Sequence, residues 1–446
     1  MSTENKMSKL SVNKLIIQMS LPPLFSMFLQ YSYNFIDSIF IAKLGEDALA
    51  AVSLSFPITT LMNSLSVWIG VGVNVMIAGY LGKKENSKAN STVTLGLLLS
   101  FLIGTLVNII ILLTTKPYYE AFTNNAAILE YGLEYMSICA FMQVPNMVHI
   151  SIQKMLQATG NMLAPMWFQT AGVIFNFVFD PLLIFGIGPF PKMGISGAAL
   201  ATVLGFTLSM VIALIMLLFT KQDVKFTIKD FHFDFKMVGT VFAYGLPSFI
   251  MNALGAFMVT FVNIFLVTSS DLAVAFFGAY FKVQQLIVMT VNGLIQGCLP
   301  IMRFNYAAKN QERLKQTFYK GTIITAIMMI LGMIIIFAFP KEILNLFSAS
   351  DEMLSFGIPA VRIMSLGFLF NGLSTMIATY AQATEKVFQS IVIQILRQGV
   401  LLFFNMWLLN NIFGMTGIWL SFPITESLVF FIALFIIMGK KEVKSY

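Results

Sequence analysis

The sequence has little of what a soluble enzyme needs. It contains two cysteines and two histidines, and charged residues make up only 11% of its 446 positions. Cys139 and Cys298 lie in apolar stretches without metal-type spacing, which argues against a disulfide framework or a zinc site. No phosphate-binding loop, metal cluster or nucleophile constellation is recognisable. We therefore expect neither an ATPase nor another enzyme, and no cofactor.

Apolar sequence fills the chain instead. Hydrophobic residues account for 58% of it, and the mean hydropathy is +0.83, which predicts an all-α membrane protein. Runs of about twenty apolar residues can each span a bilayer as a helix. Twelve such runs are predicted: Leu15–Ile41, Leu49–Leu81, Val93–Thr115, Ile128–Leu156, Leu163–Gly188, Ile195–Phe219, Val238–Val267, Leu272–Tyr306, Thr317–Phe339, Met353–Ala381, Val387–Leu409 and Met415–Met438.

The basic residues indicate how the chain is oriented in the plasma membrane. Lysines and arginines cluster in the two tails and in alternate loops, and the positive-inside rule places that side in the cytoplasm. Because the net charge of +7 resides in short loops, nucleic acid is not an expected partner. The polar first fourteen residues run directly into a span, so we expect no signal peptide to be removed. The basic clusters include Lys6, Lys9, Lys14, Lys83, Lys84, Lys88, Lys221, Lys225, Lys229, Lys236, Lys309, Arg313, Lys440 and Lys441.

An internal repeat divides the chain into two halves of six spans. Identical residues recur 225 positions apart, and the interval falls to 220 after a shorter break in the second copy. Six is an even number, so the copies share one topology and are predicted to be related by a pseudo-twofold axis along the membrane normal, with a central site. Examples are Gln157 and Gln382, Pro22 and Pro247, Asn146 and Asn371, Lys84 and Lys309, and Gly194 and Gly414. The predicted organisation is a cytoplasmic tail (1–14), a six-helix lobe (15–220), a connector (221–236), a second lobe (237–439) and a tail (440–446).

Two aspartates inside apolar spans need an explanation. An ionised carboxylate at the bilayer centre costs roughly 3 kcal/mol, so such residues usually face a wet cavity and mark an ion pathway. Asp37 lies in the first span and Asp180 in the fifth, and both are flanked by polar side chains at helical spacing. These are Gln30 and Asn34 before Asp37, Asn146, His149, Gln153 and Gln157 in the fourth span, Asn176 before Asp180, and Thr202 in the sixth.

Two motifs resemble those of a known transporter family. FNFVFDPLLIFG at 175–186, followed by GISGAALAT at 194–202, resembles the fifth to sixth helix signature of the multidrug and toxic compound extrusion (MATE) family. NFIDSIFIAKLGEDALAAVSLSFPI at 34–58 resembles its first to second helix signature. The resemblance extends over nearly the whole chain in length and spacing. It implies twelve transmembrane helices and secondary transport.

The resemblance also assigns candidate residues for ion coupling. Members of the DinF-like branch use an aspartate in helix 1 and an Asn-x-x-x-Asp pair in helix 5, positions that match Asp37, Asn176 and Asp180. Two carboxylates in a low-dielectric pocket repel each other, so the pair could take up a proton, or hold sodium together with the oxygens of Asn176 and Thr202. The sequence leaves proton and sodium both open. The alternative is that both aspartates only bond neighbouring helices.

The remaining intramembrane polar residues are candidates for a substrate cavity. The second half carries Asn371 and Gln296 where other branches have carboxylates, which argues against ion coupling there. Glu426 could pair with Arg397 or Lys282, and His149 is more often a packing residue than a proton relay. The predicted cavity set is Asn34, Asn146, Gln153, Lys282, Gln285, Asn292, Gln296 and Asn371.

Together these observations favour a monomeric antiporter that exports amphipathic or cationic organic compounds by alternating access, in exchange for protons or sodium. The nearest alternative is a flippase for lipid-linked oligosaccharides of the same superfamily, which would use intramembrane cations such as Arg362 and Arg397. A channel or receptor would not require a coupling carboxylate. The sequence does not identify the natural substrate.

Overall fold

The computed structural model describes residues 6–228, 231, 233–267, 271–347 and 349–438. Lys229 of the predicted connector and the predicted tail at 440–446 lie outside the described residues. Two short helices, Lys6–Lys9 and Pro340–Asn345, accompany the long ones. The long helices are α1 (Val12–Ala42), α2 (Glu46–Gly82), α3 (Asn86–Phe122), α4 (Ala126–Cys139 and Gln143–Ala158), α5 (Leu163–Phe185), α6 (Ile195–Phe219), α7 (Phe235–Val267), α8 (Asp271–Ala307), α9 (Gln311–Ala338), α10 (Asp351–Ser365 and Phe368–Ala383), α11 (Val387–Phe413) and α12 (Met415–Met438).

The helices confirm the prediction of an all-α membrane protein. In the described ranges, eleven helices are long and apolar enough to cross a bilayer. The fourth predicted span corresponds to α4, whose parts of 14 and 16 residues are each too short to cross alone. A 3₁₀ turn at Ala140–Met142 joins the two parts. Pro145 lacks a backbone N–H and its ring crowds the carbonyl four residues earlier, which accounts for this break.

The described residues form two compact units. Among the described residues, unit 1 comprises 6–11 and Ile17–Phe249, and unit 2 comprises Val12–Ile16 and 250–438. The core of unit 1 lies between α2, α3, α4 and α6, where the fully buried Tyr119 donates its hydroxyl to the Ala51 carbonyl at 2.8 Å. The core of unit 2 is aromatic and includes the buried Phe276 and Trp419, with ring centroids 5.3 Å apart.

The internal repeat is visible in the backbone conformation as well as in the sequence. Lys84 and Lys309, at equivalent positions after α2 and α8, both have a positive φ, of 61° and 57°. Gly194 directly precedes α6 with φ 58° and ψ −130°, and Gly414, which follows α11, directly precedes α12 with φ 59° and ψ −143°. Only glycine reaches that combination without strain. The two halves therefore use the same turns at the same places.

The tenth helix is interrupted at the position equivalent to the break in α4. Its two parts meet at Leu366 and Gly367, which the repeat aligns with the 3₁₀ turn of unit 1. The halves differ in their fifth helices, because α11 contains a π-helical segment, Leu396–Val400, whereas α5 is regular. Such segments often occur at functional sites, and this one carries Arg397.

Candidate functional site

A cavity of about 380 Å³ lies inside unit 1. Its walls come from α1, α2, α4, α5 and α6, and most of the residues that line it have polar side chains although the helices are apolar. Asp37 lines it, whereas Asp180 does not: Asp180 is fully buried, with 0% exposure. Its other lining residues include Gln30, Tyr33, Asn34, Ser55, Thr59, Asn63, Tyr135, Asn146, His149, Gln169, Gly172, Asn176, Thr202, Gly205, Phe206 and Ser209.

The two aspartates are neighbours, and α5 sets the position of the buried one. Gln169, Asn176 and Asp180 are seven and four residues apart, so they share one face of α5. The carboxyl groups of Asp37 and Asp180 are close enough to interact directly. Asp180 therefore lies beside Asp37 but outside the lining of the cavity.

Several oxygens of this cluster lack hydrogen-bond donors. Among the described residues, neither carboxylate oxygen of Asp180, nor Oδ1 of Asp37 or of Asn176, has a well-aligned hydrogen bond, although all four atoms are buried and the Tyr33 hydroxyl lies near Asp180. Buried acceptors without donors are costly, and each needs an explanation. Four unpartnered oxygens around two carboxylates are an arrangement that a proton or a small cation would stabilise.

Tyr33 connects this cluster to α6. Its hydroxyl lies 3.4 Å from Oγ1 of Thr202 and interacts electrostatically with Asp180 and Asp37. Thr202 therefore contributes a hydroxyl at the edge of the carboxylate pair. In the described ranges no three His, Cys, Asp or Glu side chains form a metal-ligating group, so a bound sodium ion would need these hydroxyl and amide oxygens.

Small residues allow α5 and α6 to approach closely at the site. A Cβ atom at Gly205 would lie 2.4 Å from Nδ2 and 2.6 Å from Oδ1 of Asn176. A Cβ atom at Gly172 would lie 2.0 Å from Oγ of Ser209. The side chain of Asn176 therefore fits because position 205 has no side chain.

Amide side chains form a polar row across three helices of unit 1. Gln153 of α4 donates to Gln169 of α5 at 3.4 Å, and Gln169 donates to Gln30 of α1 at 3.4 Å. Gln153 thus reaches the cavity through Gln169. Asn146 lines the cavity and donates to Oγ of Ser66 at 3.2 Å.

His149 also lines the cavity, but it is packed rather than exposed. It is 3% exposed, its Nδ1 lies 3.2 Å from the Pro145 carbonyl, and its ring centroid is 5.5 Å from that of Phe206. These contacts are those of a packing residue, in line with the sequence interpretation.

Of the predicted substrate set, Asn34 and Asn146 line the unit 1 cavity and Gln153 lies next to it, whereas the other five residues belong to unit 2. Lys282 is exposed, and Gln285, Asn292 and Gln296 follow it on the same face of α8, each partly buried. Asn371 donates to Oε1 of Glu426 at 2.7 Å. The predicted partners of Glu426 were Arg397 and Lys282, so the amide contact is an addition to that interpretation.

The polar face of α2 was missed at the sequence level. Ser55, Thr59 and Asn63 recur every four residues and all line the cavity. Tyr33, one turn before Asp37, and Gln169, seven residues before Asn176, were missed as well. The helical spacing of these residues was a usable signal. Serine and threonine nevertheless change the hydropathy of a span little, because their hydroxyl groups bond to the backbone of their own helix. Ser55, for example, donates to the Val52 carbonyl at 2.7 Å.

A duplicated helical membrane protein with a carboxylate pair beside an internal cavity belongs to the class of membrane transporters. The MatE family model matches residues 22–182 and 247–407, so the chain belongs to the multidrug and toxic compound extrusion (MATE) family. The second matched range begins 225 positions after the first, and this is the interval of the internal repeat.

Individual relatives resemble the chain over almost its full length. The multidrug export protein MepA of Staphylococcus haemolyticus is 25% identical over 97% of this chain and 94% of its own. An FAD transporter of Shewanella oneidensis is 25% identical over 94% of this chain and 92% of its own. A MOP superfamily transporter from Pyrococcus furiosus has a similar structure, with a TM-score of 0.92 at 21% identity, covering 99% of this chain and 98% of that one.

Proposed function

We propose that the protein is a secondary antiporter that exports amphipathic or cationic organic compounds in exchange for protons or sodium ions. The observation that carries the proposal is the cluster of unpartnered oxygens at Asp37, Asn176 and Asp180 beside the cavity of unit 1. A coupling ion would reduce the negative charge of this pair, and its arrival or departure would favour one conformation over another.

The charge of the cavity supports the substrate class. Its lining includes the carboxylate of Asp37 and aromatic faces such as Phe56 and Tyr135, while lysine and arginine are absent from its described lining. Acidic and aromatic walls suit an organic cation. The similarity to MepA, a multidrug export protein, points the same way, whereas the FAD transporter would carry an anionic compound.

A flippase for lipid-linked oligosaccharides is less well supported. Arg362 is exposed and donates to the Phe337 carbonyl at 3.3 Å. Arg397 is 6% exposed and donates to Oγ1 of Thr375. Neither guanidinium lies at the cavity, where a pyrophosphate would require it.

The test is gradient-driven efflux of a fluorescent organic cation from vesicles, with proton and sodium gradients imposed separately. Asp180→Asn and Asp37→Asn preserve shape and remove the charge. We expect both to abolish gradient-driven efflux, with substrate binding retained in Asp180→Asn and weakened in Asp37→Asn, whose carboxylate lines the cavity. Asp351→Asn, the same change at an exposed carboxylate, is the matched control and should behave like the wild type.

Wild-type efflux rates in Asp180→Asn under both gradients would contradict coupling through this pair. A wild-type protein that moves no organic cation under either gradient would contradict the proposed export function itself.

A further inference from the structure

A second polar cluster lies inside unit 2, around Glu426 of α12. Asn371 donates to Glu426 Oε1 at 2.7 Å, and Nη1 of Arg397 donates to Oγ1 of Thr375. Asn371 and Thr375 are one turn apart on α10, with the Thr375 hydroxyl bonded to the Asn371 carbonyl at 2.7 Å. One turn of α10 therefore holds a carboxylate and a guanidinium side by side.

The two charges compensate each other without a direct ion pair. Arg397 and Glu426 are close enough to interact electrostatically, yet Nε of Arg397 and Oε2 of Glu426 have no hydrogen-bond partner among the described residues, although both atoms are buried. Besides Arg397, Tyr280 of α8 is the ionisable side chain in the described ranges that interacts with Glu426. A buried charge persists when an opposite charge neutralises it.

The repeat shows where this cluster lies in the architecture of a half. The counterpart of a unit 2 residue lies 225 positions earlier, in unit 1, or 220 positions earlier for residues after the break that precedes α12. The counterparts of Glu426 and of the three side chains that contact it or interact with it all line the unit 1 cavity. They are Phe206 for Glu426, Gly172 for Arg397, Asn146 for Asn371 and Ser55 for Tyr280. Where unit 1 has a glycine beside an open cavity, unit 2 has a guanidinium in a π-helical segment.

We propose that Arg397 is the built-in counter-ion of Glu426 and thereby prevents Glu426 from acting as a second ion-coupling carboxylate. The inference rests on the proposed antiport function. With Arg397 present, the binding of a coupling ion at Glu426 is only weakly favourable, because the guanidinium group already compensates the charge of the carboxylate. Without Arg397, the buried carboxylate is relieved only by taking up one further cation, which is then carried with each transport cycle. Arg397 therefore confines coupling to Asp37 and Asp180.

The number of coupling ions per substrate provides the test. In sealed vesicles, the logarithm of the steady-state substrate ratio is plotted against the logarithm of the imposed ion gradient, and the slope gives the stoichiometry. Arg397→Gln is expected to raise the slope by one, so that each tenfold gradient supports a further tenfold substrate ratio. Arg397→Lys, Glu426→Gln and the Arg397→Gln/Glu426→Gln double variant are expected to keep the wild-type slope.

An unchanged slope in a transport-active Arg397→Gln protein would overturn the proposal. So would a changed slope in Glu426→Gln, because Glu426 would then already bind the coupling ion. If Arg397→Gln is not recovered folded, Arg397→Met takes its place with the same expected slope, and a changed slope in Glu426→Gln still overturns the proposal. Failure of the antiport function itself is recognised separately, as a wild-type slope of zero for both protons and sodium.

Discussion

Replacing Gly205 with alanine should disturb the candidate ion site without removing any of its polar groups. The new Cβ atom would lie 2.4 Å from Nδ2 of Asn176, so the amide must move by about 1 Å to restore ordinary van der Waals contact. Overpacking of this kind costs about 1–3 kcal/mol. We therefore expect a lower melting temperature and a loss of ion-driven efflux of roughly tenfold or more, since about 1.4 kcal/mol corresponds to a factor of ten.

The steric origin of this effect can be isolated with a double-mutant cycle. In an Asn176→Ala background the obstacle is gone, so Gly205→Ala should add little further destabilisation. The matched control is Gly239→Ala, a helical glycine of α7 whose Cβ would meet nothing within 4 Å. Thermal unfolding in detergent and efflux from vesicles measure the two consequences. Equal destabilisation by Gly205→Ala in both backgrounds would refute the reasoning, as would wild-type efflux from the single variant.

Two further predictions concern the repeated turns. A Cβ atom at Gly194 or Gly414 meets no steric obstacle, but alanine is forced there into a backbone conformation that only glycine adopts without strain. Both substitutions should therefore reduce the free energy of unfolding by about 1–3 kcal/mol and lower the melting temperature. An unchanged melting temperature in both variants would be contrary evidence. Glu385 has a φ of 63° and forms a 2.7 Å ion pair with the buried Arg303. Glu385→Gly and Glu385→Ala both remove the pair, yet the glycine variant should be more stable by about 1 kcal/mol because it relieves the backbone, and the reverse order in thermal unfolding would count against this explanation.

The sequence predicted the helices better than their interruptions. Apolar runs led to the helical fold and the two motifs at 34–58 and 175–202 led to the family, and both predictions are confirmed, by the structure and by the family match. The breaks at Ala140–Met142 and at Leu366 were not predicted, because hydropathy reports burial in lipid and not backbone geometry. The π-helical segment at Arg397 was missed for the same reason.

The candidate site could be predicted in part. A carboxylate in an apolar span is conspicuous, so Asp37 and Asp180 were identified, and their coupling roles remain predictions. That Asp37 lines the cavity while Asp180 is buried outside its lining depends on tertiary packing and is not encoded in spacing. The contribution of α2 was overlooked because serine and threonine side chains change the hydropathy of a span little.

Asp180 is wholly buried and lies outside the lining of the cavity, although its neighbour Asp37 lines that cavity. An ion in the cavity therefore cannot contact Asp180 unless wall side chains move aside. In an antiporter of the proposed kind, loading and unloading Asp180 would then depend on a local movement of the protein, and this dependence would slow the exchange of ions between transport cycles.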